Sequence, residues 1–264
     1  MWIYIEEPLR KPEGAAPQGT ALGEPMGAAL GEPLGDPLVS ALGLTGVVRG
    51  AAAPGQIIAW RVAGHLLDGP THDRLREALS GDLSSLLPSP VPHLLLWSGT
   101  LASEPFEADP RTWMGPGWRA LAERCDQLAP LLERAGVTLC LQPHARHVLS
   151  DIRSCLSFLA ARRGQRFALA LSPVTMLEAA MLPARAEHLD RIMDALGSAA
   201  AMILLSDVKP PHEAGEPPLL CPLGEGVLPI RLLRDLLATK VAPTRPIVLG
   251  HERWPAQQHA LLGE

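Results

Sequence analysis

The chain has 264 residues, 47% of them hydrophobic and 19% charged, a balance that excludes disordered and fibrous proteins. Its formal net charge of −5 offers no basic field for phosphate backbones or an anionic membrane surface, so neither nucleic acid nor membrane is expected as a partner. No apolar run reaches the roughly 18 residues that span a bilayer, and "MWIYIEEPLRK" carries acids where a signal peptide carries bases, so a cytoplasmic location is expected.

In chain order, the first candidate strand is "WIYIE" (2–6). Residues 13–37 follow, dense in Gly and Pro, with "ALGEPMGA" at 21–28 repeated as "ALGEPLGD" at 29–36. Two units are too few for a solenoid, so the stretch reads as an irregular surface segment. Further candidate strands are "TGVVR" (45–49), "IIAWRVA" (57–63), "HLLLWSG" (93–99), "TLCLQPH" (138–144), "FALALSP" (167–173), "AMILLSD" (201–207) and "PIVLGHE" (246–252). Several are continuous apolar runs, the pattern of strands covered on both faces in a parallel sheet.

Between the strands the period changes to that of a helix. Trp118, Leu121, Cys125, Leu128, Leu132 and Ala135 step by three and four residues towards Gly136, a natural C-cap, and Pro130 is expected to kink or split that helix. Ser150 and Asp151 can cap a helix bearing Ile152, Cys155, Leu156 and Leu159, which Gly164 is expected to end. Pro183 and Pro229 stand near the start of two more helical patterns. Eight strands alternating with helices at this length predict a single α/β domain over residues 1–264, a (β/α)₈ TIM barrel that is irregular in its N-terminal half, with a doubly wound open sheet as the alternative that alternation alone does not exclude. The four cysteines lack CxxC spacing, and Cys125, Cys140 and Cys155 read as buried reduced thiols.

A parallel barrel gathers function at the C-terminal ends of its strands. Those ends supply Ser98, Gln142 and His144, Ser172, Ser206 and Asp207 with Lys209, and finally His251 and Glu252. Gln142 and His144 lie two apart on one strand face and suit a polar ligand, or else Pro143 ends the strand and His144 caps a loop. His147 is expected on the loop surface. Ser172, before Pro173, is a ligand hydrogen-bonder or a turn-former, and "LSPVT" lacks the nucleophile elbow. Asp207 and Lys209 form an ion pair or offer a carboxylate to a hydroxyl. Gly224 and Gly226, ahead of a helix, read as turn glycines or as an anion cradle that Glu225 disfavours.

These pieces resemble the xylose-isomerase-like TIM barrels, a family with sugar phosphate isomerases and epimerases. The resemblance runs from about Trp113 to Arg253, through "RAGVTLCLQPH", "FALALSPVT", "MILLSDV", "PLGEG" and "PIVLGHE". The resemblance implies an isomerase-like barrel acting on sugars and a divalent metal held by Glu, Asp, His and a second Glu. Residue by residue the first Glu falls on Gln142, the Asp on Ser172, the His on Leu204, and a further His on Thr175. The final Glu falls on Glu252, or is lost if Gly250 is the matching position. An amide, a hydroxyl and an aliphatic chain do not hold such a cation. The expectation is therefore a barrel without the metal-dependent mechanism, with no cofactor, binding a small polar molecule such as a sugar or acting with a partner. An active isomerase or epimerase with a rearranged metal site is the alternative, and self-association into a homo-oligomer is compatible with either. A third reading makes His144 a general base oriented by Asp207 or Glu252.

Overall fold

The structure is a computed structural model that describes residues 2–8, 44–50, 57–81 and 93–250. The Gly/Pro-rich segment at 13–37, with its repeat, and the pair His251 and Glu252 lie outside the described residues. The described residues form ten strands: β1 (Trp2–Pro8), β2 (Leu44–Gly50), β3 (Ile57–His65), β4 (His93–Trp97), β5 (Thr138–Gln142), β6 (Phe167–Leu171), β7 (Met202–Leu205), β8 (Asp207–Lys209), β9 (Leu219–Cys221) and β10 (Pro246–Gly250). Eight of them close a barrel in the order β1-β10-β7-β6-β5-β4-β3-β2, while β8 and β9 pair as a separate two-stranded ribbon.

Each of the eight candidate strands is a stave of this barrel. Where side chains are described, the apolar runs are continuous because both faces are covered. Along β5, Cys140 faces the barrel interior with Leu95, Ala170, Met202, Leu204 and Val248, while Leu139 and Leu141 face the outer layer with Leu94, Leu96, Leu169 and Leu171. Burying an aliphatic side chain of this size contributes about 1.5–3 kcal/mol, so two covered faces stabilise each strand twice over.

The N-terminal irregularity is a matter of direction. β2 runs antiparallel to both β1 and β3, whereas the neighbours from β3 round to β1 through β4 and β10 are parallel. A parallel return needs a crossover of a dozen or more residues, and only residues 51–56 separate β2 from β3.

Six α-helices are described: α1 (Gly69–Ser80), α2 (Pro110–Trp113), α3 (Gly115–Ala135), α4 (Ile152–Ala161), α5 (Arg185–Leu196) and α6 (Ile230–Lys240). Helix α3 is unbroken across Pro130 and ends on Gly136 at φ 69°. Pro130 and Asp126, whose carbonyl loses its intrahelical donor, are both exposed, so that carbonyl is open to solvent. Helix α4 opens on a capping box between Asp151 and Ser154 but stops at Ala161, ahead of Gly164. Cys125, Cys140 and Cys155 are free and buried, and burial pushes each thiol up to about 12. No helix among the described residues is long and apolar enough to cross a membrane.

Candidate functional site

The register Leu95↔Cys140 places two interior residues side by side, and Trp97↔Gln142, two positions on, points the same way at the C-terminal mouth of the barrel. On β3 the same period carries the interior face from Ala59 to Arg61. The Arg61 guanidinium reaches the mouth and donates from Nη1 to Gln142 Oε1 at 3.0 Å. A guanidinium offers hydrogens and no lone pairs, so the amide must turn its oxygen to Arg61 and its NH₂ away. Gln142 is 4% exposed.

Strand β5 stops at Gln142, and Pro143 leads into a tight turn in which the His147 N–H bonds the His144 carbonyl at 2.8 Å. His144 is therefore a loop residue beyond the strand, yet it is buried. Its Nδ1 accepts the Arg146 N–H at 3.1 Å, which places the ring proton on Nε2. His147, expected at the surface, is fully buried: its Nδ1 accepts the Gly99 N–H at 3.3 Å and its Nε2 donates to Pro105 O at 2.8 Å. Burial, reinforced by the Arg146 charge, pushes His144 down to about 4. Burial also pushes His147 down to about 3, with His144 beside it adding to the effect. Both rings are neutral at pH 7, and neither Nδ1 is available as a base.

Around these imidazoles the mouth is aromatic. Phe106 stacks on His147 at 5.5 Å and lies 4.7 Å from His144, and Trp97 meets Phe106, His144 and His147 edge-on at 5.4, 5.7 and 5.6 Å. Gly99, at φ +104°, is required here because a Cβ would lie 2.9 Å from His65 Nδ1 and from Leu67.

Arg146 ties the surrounding loops together. It donates to Phe106 O at 3.1 Å and Gly215 O at 2.6 Å and pairs with the Glu178 carboxylate at 3.4 Å, joining the loops after β4, β6 and β8. Sequence reasoning missed Arg61, Trp97, Phe106 and Arg146. The signal for Arg61 was present, as a charge within "IIAWRVA" two residues from an inward-facing Ala59.

The remaining strand-end residues are placed differently. Asp207 is fully buried, but its carboxylate accepts four backbone N–H groups, from Val208 (2.7 Å), Leu228 (3.0 Å), Gly224 (3.2 Å) and Gly226 (3.0 Å). The Gly224–Gly226 turn is thus an anion cradle, and the anion is the chain's own. Gly226 cannot carry a Cβ, which would sit 2.2 Å from Asp207 Oδ1. Lys209 faces Glu225 at 3.8 Å, rather than Asp207, in an exposed pair. Ser172 is buried and opens the short 3-10 helix Pro173–Met176, where its carbonyl accepts the Thr175 hydroxyl at 2.8 Å. The structure brings Arg61, Trp97, Gln142, His144 and His147 together and holds Asp207 and Lys209 in a separate loop system.

A divalent cation needs lone pairs and negative charge. At this mouth the Gln142 oxygen already accepts from Arg61, both Nδ1 lone pairs accept backbone N–H groups, and the Leu204 side chain packs in the apolar interior. No group of three or more His, Cys, Asp or Glu among the described residues is placed to hold a metal ion. Among the described residues, this amide, this aliphatic chain and these two imidazoles bring no negative charge to such a cation.

No protein-family model matches the chain, and no curated protein matches it. Solved structures do. A 3-keto-D-glucoside 4-epimerase from E. coli, YcjR, is 15% identical, with 78% of this chain and 78% of that one covered at a TM-score of 0.51. A xylose isomerase domain protein from Planctomyces limnophilus is 13% identical at a TM-score of 0.50, covering 75% of this chain; this chain spans only 64% of its length. The TTHB071 protein from Thermus thermophilus, soaked with ZnCl2, is 19% identical at a TM-score of 0.50, with 75% and 72% covered. Likenesses at this identity show the fold alone: the chain is an α/β TIM barrel.

Proposed function

We propose that this barrel works without the divalent cation of the xylose-isomerase-like enzymes and binds a small polar, sugar-like molecule at its mouth. The observation that carries this reading is the hydrogen bond from Arg61 to Gln142, where the resemblance calls for a metal-binding carboxylate. The bond sets a guanidinium charge against the amide oxygen, and an amide brings no negative charge for a cation to gain. The aromatic edge formed by Trp97 and Phe106 suits the apolar face of a sugar ring, and the buried polar groups of Gln142 and His144 suit its oxygens. Titration calorimetry with Mn²⁺, Mg²⁺, Co²⁺ and Zn²⁺, followed by a panel of aldo and keto sugars, tests the proposal. The expected result is no stoichiometric metal uptake and metal-independent sugar binding. Tight binding of one ion per chain, with sugar conversion that needs it, would restore the active isomerase or epimerase reading.

A further inference from the structure

Helix α1 meets helix α3 through a buried imidazole. His72 lies in the first turn of α1, just after the N-cap Asp68, and its side chain is fully buried. Two groups of opposite kind compete for its Nδ1. The Arg124 guanidinium, from α3, donates to that nitrogen from Nη1 at 2.9 Å, and Asp73 Oδ1 lies 3.5 Å from the same atom. Arginine has no acceptor, so Nδ1 is the bare nitrogen and the ring proton sits on Nε2. That Nε2–H is buried and meets no acceptor among the described residues. An apolar side chain would fill the same place without an unpaired donor, so packing alone does not account for a histidine.

Protonation reverses the preference at Nδ1. A proton taken from water onto the lone pair turns the nitrogen from acceptor into donor. The Arg124 N–H then loses its partner and two cations meet, while Asp73 gains a donor. Among the described residues the charges acting on the ring are Asp73 and Arg76 on α1 and Arg124 on α3. Strand β3 also packs against α1, but it turns Trp60 and Val62 into the shared core and sends Arg61 to the barrel interior, and its His65 Nδ1 accepts the Asp68 N–H. The Asp68 carboxylate is engaged by the Thr71 N–H. Burial, followed by the Arg124 charge, holds His72 below its ordinary value, and Asp73 opposes them. The folded chain therefore takes up this proton on acidification below about pH 6.5. Arg124 is half-buried, and an open groove lined by Asp73, Glu77 and Gln127 runs along the same seam, so a displaced guanidinium has carboxylates and water to meet.

We propose that His72 is a proton-operated switch on the α1–α3 seam: neutral, it binds Arg124 and joins the two helices; protonated, it binds Asp73 on its own helix and releases Arg124. None of the residues gathered at the barrel mouth lies on either helix, so the switch does not rest on the metal-free reading.

The test is nuclear magnetic resonance on full-length protein labelled with ¹⁵N at histidine and arginine, followed from neutral pH into the acid range, with His72→Gln assigning the ring. At neutral pH His72 is expected as the Nε2–H tautomer, and the Nδ1–H form would overturn the proposal outright. On acidification the ring should titrate below about 6.5, and the hydrogen-bonded Arg124 signal should be lost along the same curve. An Arg124 signal that persists through the His72 titration would contradict the exchange of partners. Arg124→Leu removes a cation and should move the midpoint up; Asp73→Asn removes the anion and should move it down. Shifts of the same sign, or none in either variant, would sink the switch. Should Arg124→Leu fail to fold, Arg124→Gln removes the charge but keeps a hydrogen-bond donor, and the same upward shift is expected. A ring that stays neutral until circular dichroism reports unfolding would leave His72 a fixed part of the seam and end the proposal.

Discussion

The loop around Asp207 and the mouth around Gln142 are both buried polar clusters at strand ends, built from opposite halves of the hydrogen bond. At Asp207 one carboxylate meets four backbone N–H groups, and the cluster is closed. At Gln142 and His144 the acceptor atoms are used internally and the donors are left over. Both clusters lie where a barrel usually places its chemistry, so position alone does not separate them. The balance of donors and acceptors does: a carboxylate that accepts only backbone amides supports the fold, whereas donors left over can meet water or a ligand.

Removing a member of the closed cluster should have the largest effect. Asp207→Ala leaves up to four amides without their shared acceptor and should cost about 3 kcal/mol, a fall in Tm of roughly 6–12 °C. Asp207→Asn keeps one acceptor oxygen and should cost less. If denaturant melts show Asp207→Ala within about 0.5 kcal/mol of the wild type, the cradle is not a structural clamp. Next comes Arg146→Met, which cuts the bonds to Phe106, Gly215 and Glu178. Glu178 is 39% exposed, so the ion pair itself is discounted for solvent, and a loss of about 2 kcal/mol is expected. Hydrogen exchange should quicken in the loops after β4 and β8, whereas a uniform change over the barrel would contradict the tie.

The pH dependence sharpens the same comparison. The folded values of His144 and His147 are depressed, to about 4 and about 3, below the ordinary 6.5. The unfolded chain therefore takes up protons first as the pH falls. Stability is full above about pH 6.5 and is lost on acidification down through about 4 and then 3, at roughly 1.4 kcal/mol per pH unit for each imidazole. His65, His72 and His93 are also lowered by burial, so the contrast with His144→Gln isolates one ring. That variant should show a shallower slope between pH 6.5 and 4, and a slope identical to the wild type would count against a buried neutral imidazole. The smallest effect belongs to the exposed pair Arg191–Glu187 on helix α5, where Glu187→Ala should change stability by under about 0.5 kcal/mol.

The staves were legible in the sequence because two-sided burial leaves continuous apolar runs, and every proposed run from "WIYIE" to "PIVLG" carries a strand. Direction was not. Nothing in "TGVVR" says that β2 runs antiparallel; only the short link at 51–56 hints at it. The β8–β9 ribbon escaped notice because three-residue strands such as Leu219–Cys221 carry too little pattern to register. Pro130 does not split its helix, because the cost of the orphaned carbonyl depends on whether it reaches solvent, a tertiary property. Within the candidate site, Gln142 and His144 were visible as strand-end polar residues, and the interior-facing Arg61 was visible in principle from its period-2 spacing. Phe106 and Arg146 were not, since each acts through loops far apart in the chain. His147 looked like surface because its partners, Gly99 and Pro105, come from a different loop. Asp207 stood out as a strand-end carboxylate, but its partners are the backbone amides of the Gly224–Gly226 turn and its flanks, which no side-chain pattern announces.

The most direct test of the account is a crystal of the full chain soaked in MnCl2 and measured at the manganese edge. With Arg61 donating to Gln142 and both Nδ1 atoms occupied, no anomalous density should appear at the barrel mouth. A well-occupied manganese coordinated by Gln142 or His144 would contradict the account at its centre.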